Sequence, residues 1–205
     1  VGCRQYSGNR GNNIRNVPEG LNWDMWVGPA RMQLFNPNLV KDAFYHCFWM
    51  DFSGGWTPGM APHITDLPIW ALDLGYPTEI SATGGKYIIK DDSDAYDNHE
   101  VIWRYPNLTM TWMMSCTNSH GFAFQGTEKS GKGYETGTRR RLGIYFHGIN
   151  GTLISDYSSH ILIPESDRMN GMDTPPPSIP SSPGQELEWV ESIKSRKQPL
   201  CNPEY

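Results

Sequence analysis

Residues Gly54 to Leu74, GGWTPGMAPHITDLPIWALDL, decide how the rest of the chain is read. Gly54-Gly55 marks a loop where backbone can approach a ligand closely, and Thr57-Pro58 supplies an N-cap and a first helical residue. Met60, Ile64, Leu67, Ala71 and Leu74 recur at helical spacing and predict one buried stripe. His63, Asp66, Trp70 and Asp73 fall on a neighbouring face. Pro62 and Pro68 each lack an amide donor, which predicts a kink or break near Asp66 to Pro68. A glycine loop feeding a helix with a histidine in its first turns is a place for a site. It is equally an ordinary way to enter a core helix.

Working outward, Ala43 to Phe52 (AFYHCFWMDF) is an aromatic run leading into those glycines and suited to walling a pocket. Before it, Asn22 caps a short turn, Trp23-Asp24-Met25-Trp26, that Gly28-Pro29 stops. Val1 to Tyr6 reads as an edge strand and Ser7 to Gly20 as a surface loop. After the central helix the period switches to two. Thr78 to Ala82 and Lys86 to Lys90 read as short strands around Gly84-Gly85. The clearest hairpin follows: Val101, Trp103 and Tyr105 alternate, Pro106-Asn107 turns, and Leu108, Met110, Trp112, Met114 and Cys116 alternate again. Its other face, Thr109, Thr111, Met113 and Ser115, is semi-polar and suits covering a ligand or another subunit.

Asp91 to Asn98 (DDSDAYDN) is acidic like a calcium loop but lacks the EF-hand glycine and closing glutamate, so no metal site is expected. Thr117 to Arg140 is a long polar loop. Leu142 to Phe146 and Thr152 to Asp156 form a second hairpin around Asn150-Gly151, and Ser159 to Pro164 adds a strand. A Pro/Ser-rich linker over 165–185 precedes a last helix with the stripe Leu187, Val190 and Ile193 and with Lys194, Arg196 and Lys197 at its end.

At 205 residues, 38% hydrophobic and 19% charged, the chain suits one domain over 1–205. A formal charge of -5 argues against nucleic acid or an anionic membrane as partner, and the one dense basic run is Arg139-Arg140-Arg141. Cys3, Cys47, Cys116 and Cys201 lie far apart, form no C-x-x-C pair and read as free thiols unless the chain is exported. Asn107-Leu108-Thr109 and Asn150-Gly151-Thr152 are formal glycosylation acceptors that read as turn chemistry. The first residues are not a signal peptide, which leaves a cytoplasmic and an exported protein both open. Starting inside an edge strand, the chain reads as a piece of something longer. No G-x-G-x-x-G, G-x-S-x-G, Walker loop or H-E-x-x-H occurs.

The succession GLNWDMWVGPA (Gly20 to Ala30), FWMDFSGGWTPGMAPHITDLPIWALDLGYPT (Phe48 to Thr78), FHGINGTL (Phe146 to Leu153) and WVESIKSRKQP (Trp189 to Pro199) resembles the carboxy-terminal domain of the Gfo/Idh/MocA oxidoreductases. The resemblance implies an α+β fold with an open-faced, mostly antiparallel mixed sheet and helices packed on one face. It implies a parent that is an NAD(P)-dependent sugar or polyol oxidoreductase or an NAD-using glycosidase, with a Rossmann half that this chain does not carry. This domain would cover the nicotinamide, shape the substrate pocket, and pair subunits through its open face into a homodimer or tetramer. His63 becomes the expected catalytic residue, and Asp51, Trp56, Thr57 and His63 the expected substrate-binding residues. The family's catalytic Glu-Lys-Pro is absent, since Glu128-Lys129-Ser130 is neither that motif nor in that place, so the chain alone is expected to be inactive and to hold no NAD or NADP. The family also places an Asp four residues before the His, where this chain has Gly59. That departure keeps open an alternative: a non-catalytic carbohydrate-binding or assembly module on the same scaffold.

Overall fold

The computed structural model describes residues 2–4, 13–41, 45–117, 142–157 and 159–200. Expectations placed on Cys201, the Arg139 run, most of the long polar loop and the side chain of Cys3 lie outside them. Two compact units emerge, Val1–Ile163 and Pro164–Tyr205.

In the first unit, seven strands form one sheet in the order β2-β3-β4-β1-β5-β6-β7. They are β1 (Gly2–Arg4), β2 (Glu79–Gly85), β3 (Asn98–Arg104), β4 (Thr109–Ser115), β5 (Leu142–His147), β6 (Gly151–Ser155) and β7 (His160–Pro164). β2, β3 and β4 are mutually antiparallel. The short β1 then runs parallel to β4 and antiparallel to β5, so it joins the two halves and makes the sheet mixed. The Pro106-Asn107 hairpin forms as its alternation predicts, closed by Tyr105 N–H donating to Leu108 O at 2.9 Å.

Helices cover one face. α1 (Trp23–Val27) is capped by Asn22, whose side chain accepts from Met25 N–H, and it stacks Trp23 on Trp26 at 4.7 Å. A 3-10 turn (Tyr45–Phe48), α2 (Met50–Ser53), α3 (Trp56–Met60) and α4 (Pro62–Leu72) follow. Trp23, Val27, Phe48, Trp49, Trp56 and Ile64 from these segments meet Val101, Trp112, Met114 and Ile144 from the sheet in one core. The opposite face of β4 leaves Thr109 and Thr111 exposed and Met113 half-buried.

Four local expectations are corrected. α4 continues through Pro68, and the break falls instead between α3 and α4, where Pro62 supplies no N–H. The buried positions of α4 are Ile64, Thr65 and Pro68, so its stripe is rotated away from the exposed Ala71. Lys86 to Lys90 is not a strand: the N–H groups of Tyr87, Ile88 and Ile89 all donate to the buried carboxylate of Asp97, at 2.9, 2.6 and 2.7 Å. Thr57 caps no helix, because α3 starts at Trp56 behind Gly55 without a side-chain cap.

The acidic loop serves the fold. Lys86 Nζ donates to Asp91 O at 2.9 Å and to its carboxylate at 3.1 Å, and also to Ser93 O. Asp92 accepts from Asn13 N–H and Asn36 Nδ2, and Asp94 accepts from Met50 N–H at the start of α2. Its carboxylates thus bind the protein's own donors.

The second unit contains α5 (Gln185–Ser195). Glu188 ties both flanks to this helix, accepting from Ser182 Oγ at 2.8 Å and from Leu200 N–H. Leu187, Val190 and Ile193 are exposed, together with Trp189. No helix among the described residues is long and apolar enough to cross a membrane.

Candidate functional site

The glycine loop requires its glycines. Gly54 and Gly55 have φ of 74° and 94°, a region that side chains with a Cβ rarely adopt. These two residues end α2 and start α3, and so set where Asp51, Trp56, Thr57 and His63 stand. Asp51 is exposed on α2 and His63 is exposed in the first turn of α4, with the Tyr157 ring edge-on at 6.2 Å. Trp56 is 5% exposed, in the core against Phe48, and its indole N–H has no hydrogen-bond partner among the described residues. No hydrogen bond among the described residues joins Asp51, Trp56 and His63 to one another.

Thr57 is differently placed. Trp112, fully buried in the centre of β4, donates its indole N–H to Thr57 Oγ1 at 2.9 Å, and the same oxygen lies 2.7 Å from Nδ1 of His99 on β3. With Trp112 able only to donate, the single hydroxyl hydrogen of Thr57 is free to go to Nδ1 of a neutral His99. The ring's own proton then sits on Nε2. Burial favours that form, since it lowers the His99 pKa below the ordinary value. Thr57 of α3, itself held by Trp112 of β4, therefore fixes the His99 imidazole of β3 in one orientation and tautomer, as a group that binds or exchanges protons requires. His99 was not among the residues singled out from sequence. Its signal was there: it shares the apolar face of β3 with Val101 and Trp103 by alternation, an ionisable group in a core row.

Gly59 also has a structural context. A Cβ there would lie 3.2 Å from Cys47 Sγ, so the thiol occupies the space that a side chain at 59 would enter. Cys47 is itself buried and its pKa is raised by that burial. Among the described residues no three His, Cys, Asp or Glu side chains gather to hold a metal ion.

Neither curated proteins nor solved structures give a match to this chain. A family profile described as "Oxidoreductase family, C-terminal alpha/beta domain" matches residues 3–117, more than half of the chain. That span holds the glycine loop, α3, α4 and the β2-β3-β4 half of the sheet, the same elements that build the geometry above. The chain belongs to the Gfo/Idh/MocA oxidoreductase family and is an example of its carboxy-terminal α/β domain.

Proposed function

We propose that this domain binds substrate and holds subunits together in an NAD(P)-dependent sugar or polyol oxidoreductase, and that it is not catalytic by itself. The observation that carries the reading is His63, solvent-facing in the first turn of α4 beside the glycine loop, within the span that the family profile matches. In this reading His63 takes a proton from, or hydrogen-bonds to, a substrate hydroxyl. Asp51 and Thr57 supply polar contacts on the approach to it. Trp56 offers a buried donor with no acceptor among the described residues, a group whose desolvation a bound oxygen would offset by about 1–3 kcal/mol. The cofactor, NAD or NADP, is bound by a Rossmann half of the parent, because this chain has no glycine fingerprint to seat a pyrophosphate.

The open sheet face is the second part of the proposal. Across β2, β3 and β4 it carries Ser81, Ile102 and Thr111 in one row and Glu79, Arg104 and Thr109 in the next, a mainly polar face whose apolar members are the exposed Ile102 and the half-buried Met113. Two such faces pack about 10 Å apart, and a symmetric pair lets one patch serve both partners.

Gly59 favours the alternative, a non-catalytic carbohydrate-binding or assembly module, because no carboxylate stands four residues before His63. The two separate in one experiment. The parent protein is assayed with NAD or NADP against a panel of sugars and polyols. Turnover of any of them supports the oxidoreductase reading. Sugar binding without turnover across the panel supports the module.

A further inference from the structure

The sequence holds two Asn-Gly pairs, Asn150-Gly151 and Asn170-Gly171, and the proposed function uses neither. In such a pair the backbone nitrogen of the glycine can attack Cγ of the asparagine, because no Cβ on the glycine stands in the way. A bond from that nitrogen to Cγ forms, the Cγ–Nδ2 bond breaks, and ammonia leaves with the proton that the glycine amide gives up. Water then opens the cyclic imide at either carbonyl, to Asp or to isoaspartate. Water is the sole co-reactant, and nothing is oxidised or reduced. What sets the rate is how freely the asparagine ψ angle turns to bring nitrogen and Cγ together.

The fold treats the two pairs differently. Gly151 opens β6, and its carbonyl accepts from Gly148 N–H at 2.9 Å. The next residue, Thr152, stands in register with His147, whose Nδ1 lies 3.1 Å from Thr152 Oγ1. The turn is also crowded, since a Cβ on Gly148 would lie 3.3 Å from Gly151 O. Rotation at Asn150 therefore has to unpair the end of the β5–β6 ladder, a local opening that a folded sheet resists.

Asn170-Gly171 lies in a turn beyond β7, and both residues are exposed. Gly171 has φ of 74°, and a Cβ built on it would meet nothing within 4 Å. Asn170 N–H donates to Asp167 O at 2.9 Å, on the side of the residue that does not turn. One bond spans the rotating link, Met172 N–H to Met169 O at 3.1 Å, and water can replace it at an exposed turn.

We propose that Asn170 is a modification site that converts through the cyclic imide to Asp and isoaspartate, while the β5–β6 hairpin protects Asn150. Conversion places a carboxylate, and in isoaspartate an extra backbone carbon, shortly before the proline run Pro175 to Pro177. The site does not depend on His63 or on any reading of the substrate.

The test incubates the full chain at mildly alkaline pH, folded and in parallel in guanidinium chloride, and digests both with trypsin. Cleavage after Arg141, Arg168 and Lys194 leaves Asn150 and Asn170 each as the one asparagine of its peptide. Conversion is read as the mass gain of exchanging an amide for an acid, and isoaspartate by enzymatic carboxyl methylation with labelled S-adenosylmethionine. In the folded chain Asn170 should convert several-fold faster than Asn150. In the unfolded chain the two rates should draw together, because the hairpin no longer holds Gly151. The proposal falls if Asn150 converts as fast as Asn170 in the folded chain, if Asn170 does not convert, or if the ratio of the two rates is the same folded and unfolded.

Discussion

Asp97 is the residue on which most of the local backbone depends. It is 1% exposed, and burial alone would raise its pKa, but the N–H groups of Tyr87, Ile89 and Ile88 and the Asn98 amide outweigh burial and hold it below the ordinary carboxylate value. A lowered folded-state pKa means that the unfolded chain binds the proton first. The stability this group contributes is therefore full above the unfolded value of about 4 and is lost as pH falls through the lower folded one. Asp97→Ala should destabilise the domain by about 3 kcal/mol, because the buried Ile89 N–H and three part-buried donors lose their acceptor, and should flatten the acid limb of a urea-denaturation series. Thr57 makes a comparable residue-scale prediction. Thr57→Val strands the Trp112 and His99 nitrogens and should cost about 1–3 kcal/mol, whereas Thr57→Ser should cost less than half of that by the same measurement. His99 has the same sign as Asp97. Its lowered pKa makes stability fall as pH drops below about 6.5, levelling off beneath the folded value, and His99→Phe should remove that step.

At the scale of elements, the β3–β4 hairpin and α1 were legible because the information that fixes them is local. Alternation around Pro106-Asn107 and the Asn22 cap lie within a few residues of what they control. The Lys86 to Lys90 segment misled because Tyr87, Ile88 and Ile89 have strand propensity, while their N–H groups go to a carboxylate up to ten residues away that propensity does not register. Thr57 misled in the same way. Its hydroxyl satisfies Trp112 and His99, 55 and 42 residues distant, instead of its own helix. In the acidic loop, the comparison with a calcium loop did not reveal that Asp91 holds the ammonium of Lys86, five residues before it. Lys86→Met should take the cation from the buried Asp91 carboxylate, to which Ser93 N–H and Oγ still donate, and cost about 3–5 kcal/mol, with loss of amide-exchange protection confined first to residues 86–93.

For the whole molecule, the sheet's two faces divide the labour. One packs the helices and carries the Trp112, Thr57 and His99 group, and the other is the face proposed to meet a partner subunit. The α+β class and the open mixed sheet were readable from the order of segments. The role of β1 was not, since a three-residue strand that joins two halves has no periodicity to read. Assembly through the open face predicts a dimer or tetramer by sedimentation, and Met113→Lys, a charge placed at that contact, should dissociate it with the fold intact by circular dichroism. A monomer at high concentration would contradict the proposed interface.

The central claim, that this domain delivers His63 to the substrate of an oxidoreductase, is tested most directly in the parent protein by sugar- or polyol-dependent reduction of NAD or NADP, comparing wild type with His63→Ala. A loss in kcat of about 10²–10⁴, the usual contribution of a positioned acid–base group, is expected, with cofactor binding unchanged. An unaltered kcat would contradict it.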